Sequence, residues 1–243
     1  MSERNVAIVT GGASGIGAEI CRRMLAKGYE TISLALRRPD WSDKHLHAIE
    51  VDLTDASATA QVATEIATKF QITHVVHNAG AIRPALLPDV KVEDLTALTQ
   101  LHLGGALLLA QATLPAMKAQ GFGRIVLISS RGALGLQTRS AYSATKAGLI
   151  GMGRTWALEL APLGITVNMI APGPIGGTEM FHEIVPAGSD RERALAQSIP
   201  VRRVGTPADV ANAVMFFAAR ESSFVTGQVL YVCGGASLGT LVV

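Results

Sequence analysis

The stretch Asn5-Val-Ala-Ile-Val-Thr10 runs directly into Gly11-Gly-Ala-Ser-Gly-Ile-Gly17, and this junction decides the fold. A short apolar run of this kind is typical of a strand buried on both faces of a parallel sheet. The glycines allow a tight turn, and Ile20 and Met24 then predict a helix that stops near Gly28. Strand, glycine turn and helix together predict a phosphate site, because free N–H groups at a helix start favour negative charge. A tight turn without any ligand is the alternative interpretation.

Apolar runs and helical patterns alternate along the rest of the chain. Further strands are predicted at Thr31–Leu36, His45–Val51, Thr73–His77, Arg124–Ile128, Ile165–Ile170 and Gln228–Val232. Helices are predicted at Ala56–Phe70, at about Val92–Lys118, from the Tyr142 segment to about Leu160 and at Ala208–Ala219, with a weakly patterned region at 175–200. This alternation predicts an α/β fold: a single Rossmann-type doubly wound parallel β-sheet with helices on both faces. Ligands of such sheets bind at the carboxyl ends of the strands.

The composition favours one domain that spans residues 1–243. Hydrophobic residues make up 49% and charged residues 16% of the chain, which suits a sheet covered on both faces. The net charge of +2 and the lack of a Lys/Arg run argue against a nucleic-acid partner. No apolar run approaches the ~20 residues of a membrane span, so we expect a cytoplasmic protein that does not bind membranes. Cys21 and Cys233 lie far apart without clustered ligands, so neither a disulfide nor a metal site is expected.

Tyr142 and Lys146 lie four residues apart in Ser140-Ala-Tyr-Ser-Ala-Thr-Lys-Ala-Gly148, so a helix would place both side chains on one face. A phenol titrates near pH ~10 and is a poor proton shuttle at neutral pH unless its phenolate is stabilised. A nearby ammonium does this, so we expect Lys146 to lower the pKa of Tyr142 and make it a general acid or base. Two residues on a solvated helical face are the alternative.

Further motifs stand in a fixed order around this pair. They are Thr10-Gly-Gly-Ala-Ser-Gly-Ile-Gly17, Asp52, Asn78-Ala-Gly80, Ser130, Tyr142-Ser-Ala-Thr-Lys146 and Pro172-Gly173. In these motifs the chain resembles the short-chain dehydrogenase/reductase family. The resemblance implies an NAD(P)(H)-dependent oxidoreductase that transfers a hydride between nicotinamide and a ketone or secondary alcohol.

The resemblance also implies roles for individual residues. Tyr142 would exchange a proton with the substrate oxygen, Lys146 would bind the nicotinamide ribose, and Ser130 would hydrogen-bond the carbonyl. The coenzyme would be bound by Gly11, Ser14, Gly15, Ile16, Gly17, Asp52, Leu53, Asn78, Ala79, Gly80, Pro172, Gly173, Ile175 and Thr178. Residues 175–200 would form a substrate lid, in which Met180, Phe181 and His182 either shape specificity or only pack.

Four positions depart from the family pattern. The first is Thr178, which stands one residue later after Pro172-Gly173 than the family's threonine usually does. Ser129 has the usual spacing of thirteen residues before the tyrosine, but we prefer Ser130, the second serine of Ile-Ser-Ser, as the catalytic one. His77 and His102 stand where the family usually has asparagine. The resemblance would place His102 in a proton relay beside Lys146, and its titration would then add a limb to the pH dependence of kcat between about pH 5 and 8. A structural role is the alternative for His102.

Coenzyme choice is predicted from the end of the second strand, which reads Ala35-Leu-Arg-Arg38. NAD-binding members place an acid there for the ribose 2′-hydroxyl, whereas the nearest acid here, Asp40, lies beyond Pro39. The guanidiniums of Arg37 and Arg38 suit a 2′-phosphate, so the sequence favours NADP(H) over NAD(H). Stacking on adenine and exposure to solvent are the alternatives.

Several further alternatives remain open from the sequence. Reduction of 3-oxoacyl groups on acyl carrier protein is a narrower function, although Leu163 stands where such enzymes tend to carry a basic docking residue. A nucleotide-sensing regulator would usually have lost the tyrosine or lysine, and a sugar-nucleotide epimerase is typically much longer. Arg131 and Arg139 flank the predicted site and either bind an acidic substrate or are solvated. The low charge, the long helices after strands four and five and the resemblance predict a homotetramer.

Overall fold

The computed structural model describes residues 5–238. Its strands are β1 (Val6–Thr10), β2 (Glu30–Ala35), β3 (Leu46–Glu50), β4 (His74–His77), β5 (Gly123–Ile128), β6 (Ile165–Pro172) and β7 (Val229–Val232). Its helices are α1 (Gly15–Ala26), α2 (Ala56–Lys69), α3 (Val92–Thr99), α4 (Gly105–Gln120), α5 (Ser140–Leu160), α6 (Glu179–His182), α7 (Asp190–Ser198) and α8 (Pro207–Ala218). In the described part of the chain, no helix is long and apolar enough to cross a bilayer.

The seven strands form one parallel sheet in the order β3-β2-β1-β4-β5-β6-β7. The chain therefore winds outward from β1 in one direction and then from β4 in the other, which confirms the predicted doubly wound parallel sheet. The reversal between β1 and β4 leaves a crevice at the carboxyl ends of these two strands, where such sheets bind their ligands. The glycine turn follows β1 and Asn78 follows β4 at this crevice.

Alternate residues of each central strand face opposite layers of helices. In β1, Ile8 packs into the core on one side of the sheet with Leu109 and Leu149, from α4 and α5. Val9 packs on the other side with Ile20 of α1 and Val214 of α8. Both faces of the strand are buried, which explains why β1 reads as a continuous apolar run.

The predicted long helix at Val92–Lys118 is wrong in one respect, because it is interrupted. Residues Gln100–Gly104 form a turn of π-helix between α3 and α4. A π turn inserts an extra residue and is frequent at functional sites. His102, in the middle of this turn, is fully buried. The weakly patterned region at 175–200 also contains regular structure, namely the short helices α6 and α7.

Candidate active site

A cleft of about 730 Å³ lies at the carboxyl ends of β1, β4, β5 and β6. It brings together most of the residues that the sequence assigned to the site: Gly11, Ser14, Gly15, Ile16, Asn78, Ala79, Gly80, Ser130, Tyr142, Lys146, Pro172, Gly173, Ile175 and Thr178. The remaining assigned residues do not line it: Gly17, Arg37, Arg38, Asp52, Leu53 and His102. Several apolar lining residues were not predicted from the sequence, Ile82, Leu136 and Leu195 among them. Ile82 and Leu136 lie in loops, which carry no periodic signal, and Leu195 lies in α7, within the weakly patterned region.

The glycine turn leaves the N-terminus of α1 open to a ligand. A Cβ on Gly17 would lie 2.0 Å from the carbonyl oxygen of Gly11, so only glycine permits this close approach of two backbone segments. Ser14 occupies the N-cap of α1, yet its side chain makes no capping hydrogen bond and the first turn contains no acidic residue. Unsatisfied N–H groups and a positive dipole end therefore face the cleft, and these features fit the phosphates of a dinucleotide.

Thr10 ties the ends of β1 and β4 together. Its Oγ1 accepts hydrogen bonds from the main-chain N–H groups of Asn78 and Ala79 at 2.9 and 2.8 Å. The amide of Asn78 donates in turn to the carbonyl oxygen of Thr10 at 3.0 Å. Because Thr10 Oγ1 accepts twice, its own hydrogen points to Nδ1 of His77, 3.2 Å away. Burial then lowers the pKa of His77 to about 3, so His77 is neutral and braces the strand ends.

The geometry decides between the two serines after β5. Ser129 is buried and its Oγ donates to the carbonyl oxygen of Lys146 at 2.7 Å, so it ties β5 to α5. Ser130 lines the cleft, and its Oγ accepts the N–H of Gly132 at 2.9 Å. A hydrogen bond between Ser130 and Tyr142 also favours the ionised phenol. Ser130 is therefore the serine that faces Tyr142.

Tyr142 and Lys146 share the cleft-facing side of α5, as their spacing predicts. The Nζ of Lys146 donates to the carbonyl oxygen of Ile128 at 2.8 Å and lies 5.8 Å from the centre of the Tyr142 ring. Burial lowers the pKa of Lys146 to about 7. Burial also raises the pKa of Tyr142, against opposing effects of Ser130 and Arg139. The expectation of a lowered pKa for Tyr142 is thus wrong for the chain by itself, because desolvation of the phenolate dominates.

His102 lies behind the catalytic pair. Its ring packs edge-on against Tyr142 with the ring centres 5.8 Å apart, and its Nε2 accepts the N–H of Ala81 at 3.3 Å. Burial, then the charge of Lys146, then His77 hold the pKa of His102 far below its ordinary value. The expected titration of His102 between pH 5 and 8 is therefore wrong, since the buried ring stays neutral across that window.

Gly80 lies beside His102 and Lys146 in the wall of the cleft. A Cβ at this position would lie 3.1 Å from Nε2 of His102 and 3.3 Å from Nζ of Lys146. The histidine and the lysine therefore approach the same small volume, from the π turn and from α5. A side chain at this position would therefore crowd both groups, and glycine avoids this.

The residues assigned to the adenosine half lie beyond the cleft. Arg37 is exposed and forms an ion pair with Glu179 at the start of α6, while Arg38 is exposed and lies 3.9 Å from a carboxylate oxygen of Glu50. The carboxylate of Asp52 accepts hydrogen bonds from Thr54. Leu53, next to it, is buried. These side chains follow β2 and β3, on the same edge of the sheet as the glycine turn.

Thr178 attaches the segment after β6 to the glycine turn. Its Oγ1 donates to the carbonyl oxygen of Ile175 at 3.0 Å and accepts the N–H of Phe181 at 3.3 Å, so it caps α6. Its methyl group lies 3.3 Å from the place that a Cβ on Gly15 would occupy. Among residues 5–238, no group of three or more His, Cys, Asp or Glu side chains is arranged to hold a metal ion.

Known proteins are similar to this chain over nearly its whole length. A family model described as enoyl-(acyl carrier protein) reductase matches residues 11–237. The 3-oxoacyl-[acyl-carrier-protein] reductase FabG of Escherichia coli (strain K12) is 35% identical over 243 residues, which cover 96% of this chain and 97% of that protein. The reductase MabA of Mycobacterium tuberculosis (strain ATCC 25618 / H37Rv), which carries the same activity in its name, is 35% identical over 96% of this chain and 92% of its own.

A solved structure is similar over the same length. It is described as a putative NAD(P) dependent gluconate 5-dehydrogenase from Beutenbergia cavernae with bound NADP, and it superposes with a TM-score of 0.87 at 30% identity. The match covers 95% of this chain and 96% of the other. The glycine turn, the Asn78 motif and the Tyr142–Lys146 pair all lie inside the matched region. The chain therefore belongs to the short-chain dehydrogenase/reductase family of NAD(P)(H)-dependent oxidoreductases.

Proposed function

We propose that this protein interconverts a ketone and a secondary alcohol with NADP(H), and that Tyr142 is its general acid and base. The observation that carries the proposal is the convergence of Ser130, Tyr142 and Lys146 on a cleft whose other end is the glycine turn. One cleft therefore holds both a dinucleotide-binding half and a proton-transfer half.

The side chains of this cleft bind the substrate oxygen and transfer its proton. A bound nicotinamide coenzyme supplies or accepts the hydride. Because Oγ of Ser130 already accepts the N–H of Gly132, its hydrogen is available to the substrate oxygen and to Tyr142. Burial keeps Tyr142 protonated at neutral pH, which suits the donation of a proton to the oxygen formed by ketone reduction. Lys146, held by the carbonyl oxygen of Ile128, keeps its remaining hydrogens for a ribose hydroxyl.

The coenzyme assignment rests on the shape and charge of the first half of the cleft. The glycine turn and the open start of α1 would hold the pyrophosphate, and Asn78, Ala79 and Gly80 would approach the ribose. We further propose that Arg37 and Arg38 favour the 2′-phosphate of NADP(H). The relative from Beutenbergia cavernae, described with bound NADP, supports this preference.

We propose that residues 175–200 act as a lid over the substrate end of one catalytic domain. Met180, Phe181, Ile184 and Leu195, from α6, α7 and the segment between them, line the cleft. Two features place this segment beside the coenzyme half, the position of Thr178 next to Gly15 and the ion pair of Glu179 with Arg37. Coenzyme binding would therefore affect the lid directly.

We also propose a homotetramer in which α4 and α5 contact neighbouring subunits. Leu107 of α4 and Leu158 of α5 are 38% and 81% exposed. Large apolar side chains on two long helices that pack on the same side of the sheet fit a face that a second subunit covers. The cytoplasmic location stays a prediction from the sequence.

A direct test is nicotinamide absorbance with the purified full chain, a panel of ketones with NADPH or NADH, and matching alcohols with the oxidised coenzymes. The proposal expects turnover of at least one ketone or alcohol, faster with the phosphorylated coenzyme. Tight binding of NADPH together with no turnover across the panel would indicate a coenzyme-sensing role and contradict the proposal.

Reduction of 3-oxoacyl groups on acyl carrier protein is a second candidate, favoured by the relatives FabG and MabA. Against it, Leu163 is apolar and partly exposed where a basic docking residue is expected. The test compares the rate of reduction of one 3-oxoacyl group when it is carried on acyl carrier protein and when it is carried on a small thiol. A strong preference for the carrier-bound form would select this function, and equal rates would reject carrier recognition.

A further inference from the structure

Arg139 is a buried arginine in the wall of the cleft. It is only 8% exposed, and it lines the cleft together with Tyr142. One of its terminal nitrogens donates to the carbonyl oxygen and the hydroxyl of Thr138, at 3.2 and 2.5 Å. Within residues 5–238, none of the ion pairs closer than 4.0 Å involves Arg139. A buried charge without a counter-charge is costly, so this position indicates a charged partner from outside the chain.

The backbone holds Arg139 in place against local preferences. Thr138, directly before it, has a φ of 65°, which is strained for a β-branched residue. The N–H of Ala85, in the loop after β4, donates to the carbonyl oxygen of Thr138 at 3.0 Å and fixes this conformation. Arg139 is also the N-cap residue of α5, where the helix dipole disfavours a cation. The stability of α5 therefore does not explain an arginine here.

The charge around Arg139 is positive and uncompensated. Arg131 and Arg191 also line the cleft, and their guanidiniums donate to the carbonyl oxygens of Ala236 and Ile184. Among the described lining residues, the one carboxylate is that of Glu179, which pairs with Arg37. The first turn of α5 contains no acidic residue either. The substrate end of the cleft thus has the charge that a substrate anion would balance.

The position of Arg139 also locates that anion relative to the reacting carbon. Arg139 is the N-cap residue of α5 and Tyr142 follows three residues later in its first turn, and both line the cleft. The guanidinium and the phenol therefore share the same end of the cleft, where the charge of Arg139 favours the phenolate of Tyr142. We propose that the substrate is a ketone or secondary alcohol with a carboxylate a few bonds from the reacting carbon, and that Arg139 binds this carboxylate. The inference rests on the proposed function and adds the substrate class to it.

The test compares carboxylates with their methyl esters: acetoacetate with methyl acetoacetate, and levulinate with methyl levulinate, each with NADPH. The ratio of kcat/KM for acid and ester cancels effects that a substitution has on Tyr142 for both substrates. The wild type should favour one acid by about tenfold or more, because a guanidinium left unpaired by the ester is costly. Arg139→Met should bring the ratio close to one, Arg139→Lys should keep part of it, and Lys27→Met, which removes an exposed charge outside the cleft, should leave it unchanged.

A second measurement uses the wild type alone and so does not depend on the folding of a variant. Malonate should inhibit the reduction of a neutral ketone competitively with the ketone and not with NADPH.

A wild type that turns over neutral ketones, shows no acid preference and is not inhibited by malonate would overturn this inference and leave the proposed function intact. Competitive inhibition by inorganic phosphate without inhibition by malonate would overturn the carboxylate assignment. A higher KM for NADPH in Arg139→Met with an unchanged acid-to-ester ratio would assign Arg139 to the coenzyme instead. Absence of turnover with every ketone would reject the proposed function itself.

Discussion

Nδ1 of His102 lies 2.8 Å from Oγ1 of Thr145, and this contact fixes the protonation state of the histidine. Thr145 donates its hydrogen to the carbonyl oxygen of Ala141 at 3.0 Å, so Nδ1 must donate to Oγ1. Nε2 then accepts the N–H of Ala81. Both ring nitrogens are occupied in the neutral form, and a second proton would face an N–H donor and the nearby Lys146. His102 is thus a positioning residue that connects the π turn, α5 and the loop after β4.

The pH dependence of stability should report these buried neutral histidines. In the unfolded chain each histidine titrates near pH ~6.5. In the folded chain, burial lowers the pKa of His74 to about 4 and of His77 to about 3, and that of His102 also falls. Below pH ~6.5 the unfolded state therefore binds more protons, so stability is full above that pH and is lost as pH falls, by up to about 1.4 kcal/mol per pH unit for each histidine.

Urea unfolding at pH 7, 6 and 5 measures this effect. His102→Asn should reduce the slope of the unfolding free energy against pH by the contribution of one histidine. The pH profiles of kcat for wild type and His102→Asn should have the same shape between about pH 5 and 8. A limb that disappears in His102→Asn would show that His102 does titrate there.

Much of the fold follows from the sequence because its parallel strands are buried on both faces. The runs at Val6–Thr10 and Arg124–Ile128 contain few polar residues, and the structure places both strands within one residue of their predicted ends. The π turn at Gln100–Gly104 was not predictable, because the apolar pattern of Leu98, Leu101 and Leu103 continues through it.

The site was predicted less completely, since its electrostatics depend on tertiary burial. The four-residue spacing correctly places Tyr142 and Lys146 on one face of α5, but the sequence does not show how deeply the phenol is buried. Burial raises the pKa of Tyr142, whereas the sequence predicted a lower one. From the sequence, Arg139 could either bind substrate or be exposed to solvent. In the structure it is buried, and it follows the strained turn at Thr138, which the hydrogen bond from Ala85 holds in place.

The two serines after β5 should separate in kinetics and stability. Ser130→Ala removes the hydroxyl that faces Tyr142 and should lower kcat by roughly 10²-fold, with the folded state retained. Ser129→Ala removes the hydrogen bond to the carbonyl oxygen of Lys146 and should cost about 1 kcal/mol of unfolding free energy. Steady-state kinetics and urea unfolding of both variants make the test. Equal activity of Ser130→Ala and wild type would reject the assignment.

Coenzyme preference should depend on the arginines after β2. Replacing Arg37 and Arg38 by serine removes two charge-assisted donors to a 2′-phosphate and should raise KM for NADPH by about tenfold or more. KM for NADH should change little, because NADH lacks that phosphate. Arg37 also pairs with Glu179, so Glu179→Gln is the matched control for loss of the lid contact alone. A wild type whose kcat/KM is higher with NADH would contradict the preference.

Oligomerisation should depend on the apolar faces of α4 and α5. The wild type should have the mass of a tetramer by light scattering at micromolar concentration. Leu158→Arg, at an 81% exposed position, should shift the population toward smaller species, because a charge would be buried in the subunit contact. A wild-type monomer would refute the proposed tetramer.

The central claim is that Tyr142 transfers the proton, and Tyr142→Phe measures it most directly. The substitution removes one hydroxyl from a ring that is packed against His102, so the fold and the binding of NADPH should be retained. With a ketone that the wild type reduces, kcat should fall by about 10²- to 10⁴-fold, while the dissociation constant for NADPH, followed by its fluorescence, should stay within about threefold of wild type. Retention of kcat within about threefold of wild type, in a variant that binds NADPH normally, would contradict the account.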